Sequence, residues 1–121
     1  MPDYPRRASL SSHLPLTVPV FQILLSLSDQ DLHGYAIIQD VRERTAGEVG
    51  LTASTLYAAI KRLLDAGLIE ETESRKASGD DPRRRYYCIR PAGLQVARLE
   101  VGRLERAVKM AGQKKLTPRK A

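Results

Sequence analysis

The stretch from Leu51 to Ile69 constrains this chain more than any other. Leu56, Ile60, Leu63 and Leu64 fall at i, i+4, i+7 and i+8, a single apolar stripe on a helix. Thr52 or Ser54 supplies an oxygen to cap the free amides of the first turn. Gly67 accepts the left-handed backbone that stops a helix, and Leu68-Ile69 leads into an extended segment. Opposite the stripe stand Ser54, Thr55, Tyr57, Lys61 and Arg62. A helix anchored on one side and rich in donors on the other fits a DNA major groove.

The chain before this helix is helical too. Leu16 to Leu27 is densely apolar, with Thr17 as N-cap and Pro19 in the first turn, where its missing N–H removes no helical bond. A helix apolar on most faces belongs in a core. Ser28 to Asp31 is a polar turn. Gly34 to Thr45 forms a second helix, with Tyr35, Ile38, Val41 and Thr45 on one side and Asp40, Arg42, Glu43 and Arg44 on the other. His33, at its start, reads as a cap or packing residue, since no metal-type residue follows at i+3 or i+4. Gly47 and Gly50 bracket a short turn that points Val49 and Leu51 inward.

After Gly67 the pattern becomes two extended segments, Leu68 to Arg75 and Arg83 to Arg90, joined through Gly79-Asp80-Asp81-Pro82. This is a β-hairpin wing. Arg75, Lys76, Arg83, Arg84 and Arg85 cluster towards its tip, more cations than solubility requires, and point to phosphate. The plainer alternative is a solvated loop partly paired with Asp80 and Asp81. Pro91 to Ala111 is a last helix. Leu94, Ala97, Val101, Leu104, Val108 and Ala111 are spaced 3, 4, 3, 4, 3, a heptad seam suited to a partner copy. Val96, Leu99, Ala107 and Met110 form a second edge that can pack on the domain, and Gly102 would allow two helices to approach closely.

The expected fold is therefore mainly α with a small β-hairpin wing (α+β), a winged helix-turn-helix carrying a C-terminal dimerisation helix. Residues 1–14 read as a flexible arm, 15–90 as the DNA-binding domain, 91–112 as the dimerisation helix and 113–121 as a basic disordered tail. A net charge of +6 and a pI of about 9.8 favour a polyanionic partner. Cys88 alone excludes an internal disulfide and a multi-cysteine zinc site. No apolar run could span a bilayer and the N-terminus lacks a signal peptide, so the expected location is the cytoplasm. His13, His33 and Cys88 are scattered and no glycine-rich phosphate loop is present. Neither an enzyme nor a cofactor is expected. A protein-interaction module is the alternative reading, because the recognition helix carries few long base-reading side chains.

His33-Gly34-Tyr35-Ala36-Ile37 resembles the motif that opens the second helix of PadR-family transcriptional regulators. Ser54-Thr55-Leu56-Tyr57, Arg62-Leu63 and Gly67-Leu68-Ile69 resemble that family's recognition helix and its exit into the wing. Arg85-Tyr86-Tyr87-Cys88-Ile89 and Gly93 resemble its second wing strand and the entry to its last helix. The resemblance spans about residues 14 to 111. It implies a dimeric repressor of transcription on double-stranded DNA, with Ser54, Thr55, Tyr57 and Lys61 at groove and backbone and the wing arginines on phosphate. Leu94, Ala97, Val101, Leu104 and Val108 would hold the dimer. It also implies an inverted-repeat operator and a possible small aromatic ligand between the subunits. Two positions depart from the family pattern. Ala58 stands where proline is usual, and Arg90 where threonine often caps the last helix.

Overall fold

Thr17 accepts a hydrogen bond from the Val20 amide and starts the central helix, as a β-region N-cap should. The computed structural model describes residues 7–73 and 84–118, with side chains from residue 9 onward. The elements in order are α1 (Arg7–Ser11), α2 (Val18–Leu27), β1 (Leu32–His33), α3 (Gly34–Arg44), α4 (Ala53–Asp65), β2 (Ile69–Thr72), β3 (Tyr86–Ile89) and α5 (Pro91–Gln113). Ile23, Leu24 and Leu27 of α2 meet Ile37 and Val41 of α3, Leu56, Ile60 and Leu63 of α4 and Val96 of α5. Each such fully buried side chain contributes about 1.5–3 kcal/mol of transfer free energy. The fold class is the expected one, a helix-rich winged helix with a small sheet and a C-terminal helix.

Four features differ from the sequence reading. Residues 7–11, assigned to a flexible arm, form a short helix, and Leu10 is buried in the core. The wing is part of a three-stranded antiparallel sheet ordered β1-β3-β2, because Leu32 and His33 pair with Tyr87 and Tyr86. The strands of the wing are shorter than expected among the described residues. Lastly, Gly34, Ile37 and Val41 form the buried stripe of α3, whereas Tyr35 is 63% exposed.

Polar contacts lock the helices. Ser26 is buried and donates to Asp40, while the Arg44 guanidinium bonds Asp40, Ser26, and both the side chain and carbonyl of Gln22. Burial raises the Asp40 pKa, but the hydrogen bonds from Arg44 and Ser26 outweigh it and hold the carboxyl below its ordinary value. A second pair sits on α5. Glu100 is 2% exposed and takes both Nε and Nη2 of Arg103, at 2.7 and 2.8 Å. That hydrogen bonding, with further help from the Leu16 amide, holds the Glu100 carboxyl below its usual range against the burial penalty. Glu100 thus ties the segment before α2 to the last helix.

Candidate nucleic-acid interface

Helix α4 begins at Thr52, whose hydroxyl accepts from the Thr55 amide at 3.1 Å. It ends where Gly67 takes φ +72°. Leu56, Ala59, Ile60 and Leu63 are buried, which turns Ser54, Thr55, Tyr57 and Lys61 outward together. Arg62 is exposed as well. Lys61 meets Asp65 at 3.2 Å, but both are well exposed, and such a pair holds by well under about 1 kcal/mol. Tyr57 is placed more firmly. It is 53% exposed, and a Cβ at Gly34 would stand 2.8 Å from its hydroxyl and 3.2 Å from its ring. Glycine at 34 therefore lets the tyrosine of α4 lie over the start of α3.

At the base of the wing, Arg84 and Arg85 are exposed. Arg84 Nη1 lies 3.2 Å from His33 Nε2, and Arg85 Nη1 lies 3.6 Å from Glu71 Oε1. His33 accepts the Ala36 amide on Nδ1 as the N-cap of α3, and its ring stands edge-on to Tyr86. Arg75, Lys76, Arg83 and the turn at Gly79 to Pro82 lie outside the described residues. Arg90 provides no side-chain cap to α5 and instead pairs with Glu70 at 2.8 Å. Burial, the Glu70 and Asp31 charges and a hydrogen bond to Glu70 push the Cys88 thiol pKa up, so it is a poor nucleophile at neutral pH.

The heptad seam of α5 divides in two. Ala97 is buried in its own domain and Leu94 is half-buried. Val101, Leu104 and Val108 are exposed, Val108 by 70%. With Phe21 of α2 they line an apolar groove of about 560 Å³. The second edge divides likewise, with Val96 buried and Met110 exposed. Two features escaped the sequence reading. Phe21 joins the exposed seam from another helix, and Glu100 is buried, signalled only by Arg103 at i+3. Among the described residues, no helix is long and apolar enough to cross a membrane.

A search of curated protein sequences gave no match. Solved structures did match. A transcriptional regulator from Clostridium thermocellum superposes with a TM-score of 0.65 at 30% identity, over 79% of this chain and 90% of that one. A PadR family transcription regulator from Clostridium difficile R20291 gives 0.66 at 29% identity, over 80% and 97%. A PadR family regulator from Eggerthella lenta, at 22% identity and a TM-score of 0.65, covers 90% of this chain and 87% of that one and supports the fold alone. The model of the transcriptional regulator PadR-like family matches residues 23–99. This chain belongs to that family of transcriptional regulators.

Proposed function

We propose that this protein is a dimeric, sequence-specific repressor that places α4 in the major groove and the wing on flanking phosphates. The observation that carries the reading is the division of α4 into a buried apolar face and an outward face of Ser54, Thr55, Tyr57 and Lys61, beside Arg84 and Arg85. Short hydroxyls at the amino end of a groove-inserted helix reach base edges and supply modest discrimination. Arginines on phosphate supply salt-sensitive affinity. The exposed Val101, Leu104 and Val108 seam, continued by Phe21, supports pairing with a second copy. A twofold dimer would set its two recognition helices about one DNA turn apart, so the operator is an inverted repeat. A flat aromatic molecule entering beside α5 would change that spacing and release the DNA.

The test is fluorescence anisotropy on a labelled duplex from immediately upstream of this protein's own gene, with a scrambled duplex as control, at several salt concentrations. Binding at least about 10³-fold tighter to the native duplex, with a steep salt slope, is the expected result. Equal, weak binding to both refutes specific recognition there and favours a protein partner for the outer face of α4.

A further inference from the structure

A cleft of about 390 Å³ opens between the start of α3, the outer face of α4 and the entry to β3. Its rim carries His33 and Tyr35 from the start of α3, Tyr57 from α4, and Arg84 and Arg85 from the wing. All five present hydrogen-bond donors. His33 Nδ1 lies in reach of the Ala36 amide and Nε2 lies 3.2 Å from Arg84 Nη1, so the ring fixes where that guanidinium stands. The guanidinium groups of Arg84 and Arg85 both line the cleft, and paired charges of this kind suit an oxyanion. Glu71 faces Arg85 across 3.6 Å with both side chains mostly in water. Such a pair is weak enough to yield to an incoming anion.

Tyr57 closes this arrangement on the α4 side. Its ring rests against Gly34, which fixes where the hydroxyl lies relative to His33. A side chain pinned to a neighbouring helix is badly placed to follow base edges from one sequence to another. It is well placed to hold a group whose position never changes. The cleft has room for a phosphodiester with part of its sugar and lies between the outward face of α4 and the wing.

We propose that this cleft seats one backbone phosphate of the bound duplex, held by Arg84, which His33 positions, and by the hydroxyl of Tyr57. In this arrangement Tyr57 sets the position of α4 along the strand rather than reading a base. The assignment rests on the regulator reading above, and assigns His33 and Tyr35 to the DNA surface alongside α4 and the wing. Its chemistry is that of a phosphate oxyanion, which a free phosphate ion shares.

The experiment uses the full chain on its preferred duplex, with each phosphate in turn replaced by an uncharged methylphosphonate. In the wild type, one position per half-site should lower affinity about tenfold, the scale of one charge-assisted hydrogen bond. Arg84→Gln and Tyr57→Phe should each weaken binding by a similar factor on every sequence tested, and the methylphosphonate effect should shrink in both. Tyr57→Phe keeps the ring, so its Tm serves as the folding control. A Tyr57→Phe loss confined to one base pair would show base readout and overturn the assignment. So would a methylphosphonate effect undiminished in the variants. Inorganic phosphate, followed through the His33 ring protons by NMR, covers the other source. Saturation of the cleft with no methylphosphonate effect would make it a free-anion site and refute the duplex assignment. A wild type that binds no duplex at all overturns the regulator reading and this one with it. Specific binding with an unchanged Arg84→Gln and Tyr57→Phe overturns this one alone.

Discussion

Gly93→Ala should be among the most damaging single-methyl changes in this protein. Gly93 lies in the first turn of α5, and a Cβ there would overlap the carbonyl oxygen of Leu68 and come within 2.8 Å of Ile89 Cγ1. The Leu68 carbonyl is backbone, so it cannot swing aside, and it already accepts the Arg90 amide at 3.0 Å. Relief requires α5 to move away from the exit of α4. Overpacking of this kind costs about 1–3 kcal/mol, and weakening the Arg90 bond adds about 1 kcal/mol. Against this, alanine gains at most about 1 kcal/mol in helix propensity. The net is a loss of about 1–3 kcal/mol, or roughly 4–12 °C in Tm for a domain of this size. Gly102→Ala is the internal control. It lies in the same helix, and the nearest atom to its Cβ is Arg106 Nη1 at 3.4 Å, the end of a flexible side chain. There propensity should win, and Tm should rise by a few degrees. Thermal unfolding of both variants at one protein concentration decides the matter. A Gly93→Ala protein within about 2 °C of wild type would refute the contact argument. A fall in Tm for Gly102→Ala would instead support the close helix approach considered from the sequence.

Three further outcomes are expected. Replacing Arg84 and Arg85 together by alanine should weaken binding to all duplexes and lower the salt slope by about 2, at roughly 0.9 per phosphate contact; an unchanged slope would sink the wing assignment. Leu104→Glu with Val108→Glu places two charges on the exposed seam and should leave the protein monomeric by sedimentation equilibrium, whereas a persisting dimer would locate the interface elsewhere. Glu100 and Asp40 both have pKa values lowered on folding, so the unfolded chain binds more protons in acid. Their contribution is complete at neutral pH and is lost as pH falls below about 4 through the folded values. Tm measured from pH 7 to 3 should drop less steeply for Glu100→Gln than for wild type, and parallel curves would count against the role given to Glu100.

Where several local signals agreed, the sequence was legible. Cap, stripe and stop all fall within Thr52 to Gly67, and α4 occupies that span. Thr17 and Pro19 marked α2 in the same way. Short or tertiary features left no such trace. Strand β1 is two residues long and exists only because Tyr86 and Tyr87 of β3 lie beside it. Among its described side chains, helix α1 buries Leu10, too little for a period. Spacing puts Tyr35 on one side of α3 with Ile38 and Val41, yet Tyr57 and Leu56 pack against Gly34 and the buried stripe follows Gly34 instead. Heptad spacing likewise could not tell which copies of the pattern the domain itself would use. Ala97 went to the intramolecular core, and Val101 onward was left outside. Glu100, by composition a surface residue, is buried because the Leu16 amide and Arg103 satisfy it.

The two glycines that admit close contacts act on the same helix from opposite ends. Near its start, α4 meets α3 where Tyr57 lies on Gly34. At its exit, Leu68 O meets α5 at Gly93. Close-packed contacts of this kind transmit displacement rather than absorb it. A change in the angle of α5 would therefore reach the exit of α4 through backbone, without repacking Ile23, Leu24 or Leu27 in the centre of the core. Helix α5 is built for that role. Its first half is fastened to the domain by Gly93, Val96, Ala97 and Glu100, and its second half, from Val101 on, is largely exposed. If the exposed half joins two copies, the spacing of the two α4 helices is set by a lever whose short arm is Gly93 against Leu68. On this account a small change at that contact alters operator spacing preference before it alters the affinity of a single half-site. Gly93→Ala should accordingly shift the preferred distance between half-sites in a panel of spacer-length duplexes. A variant that loses affinity equally at every spacing would show that the contact serves stability only.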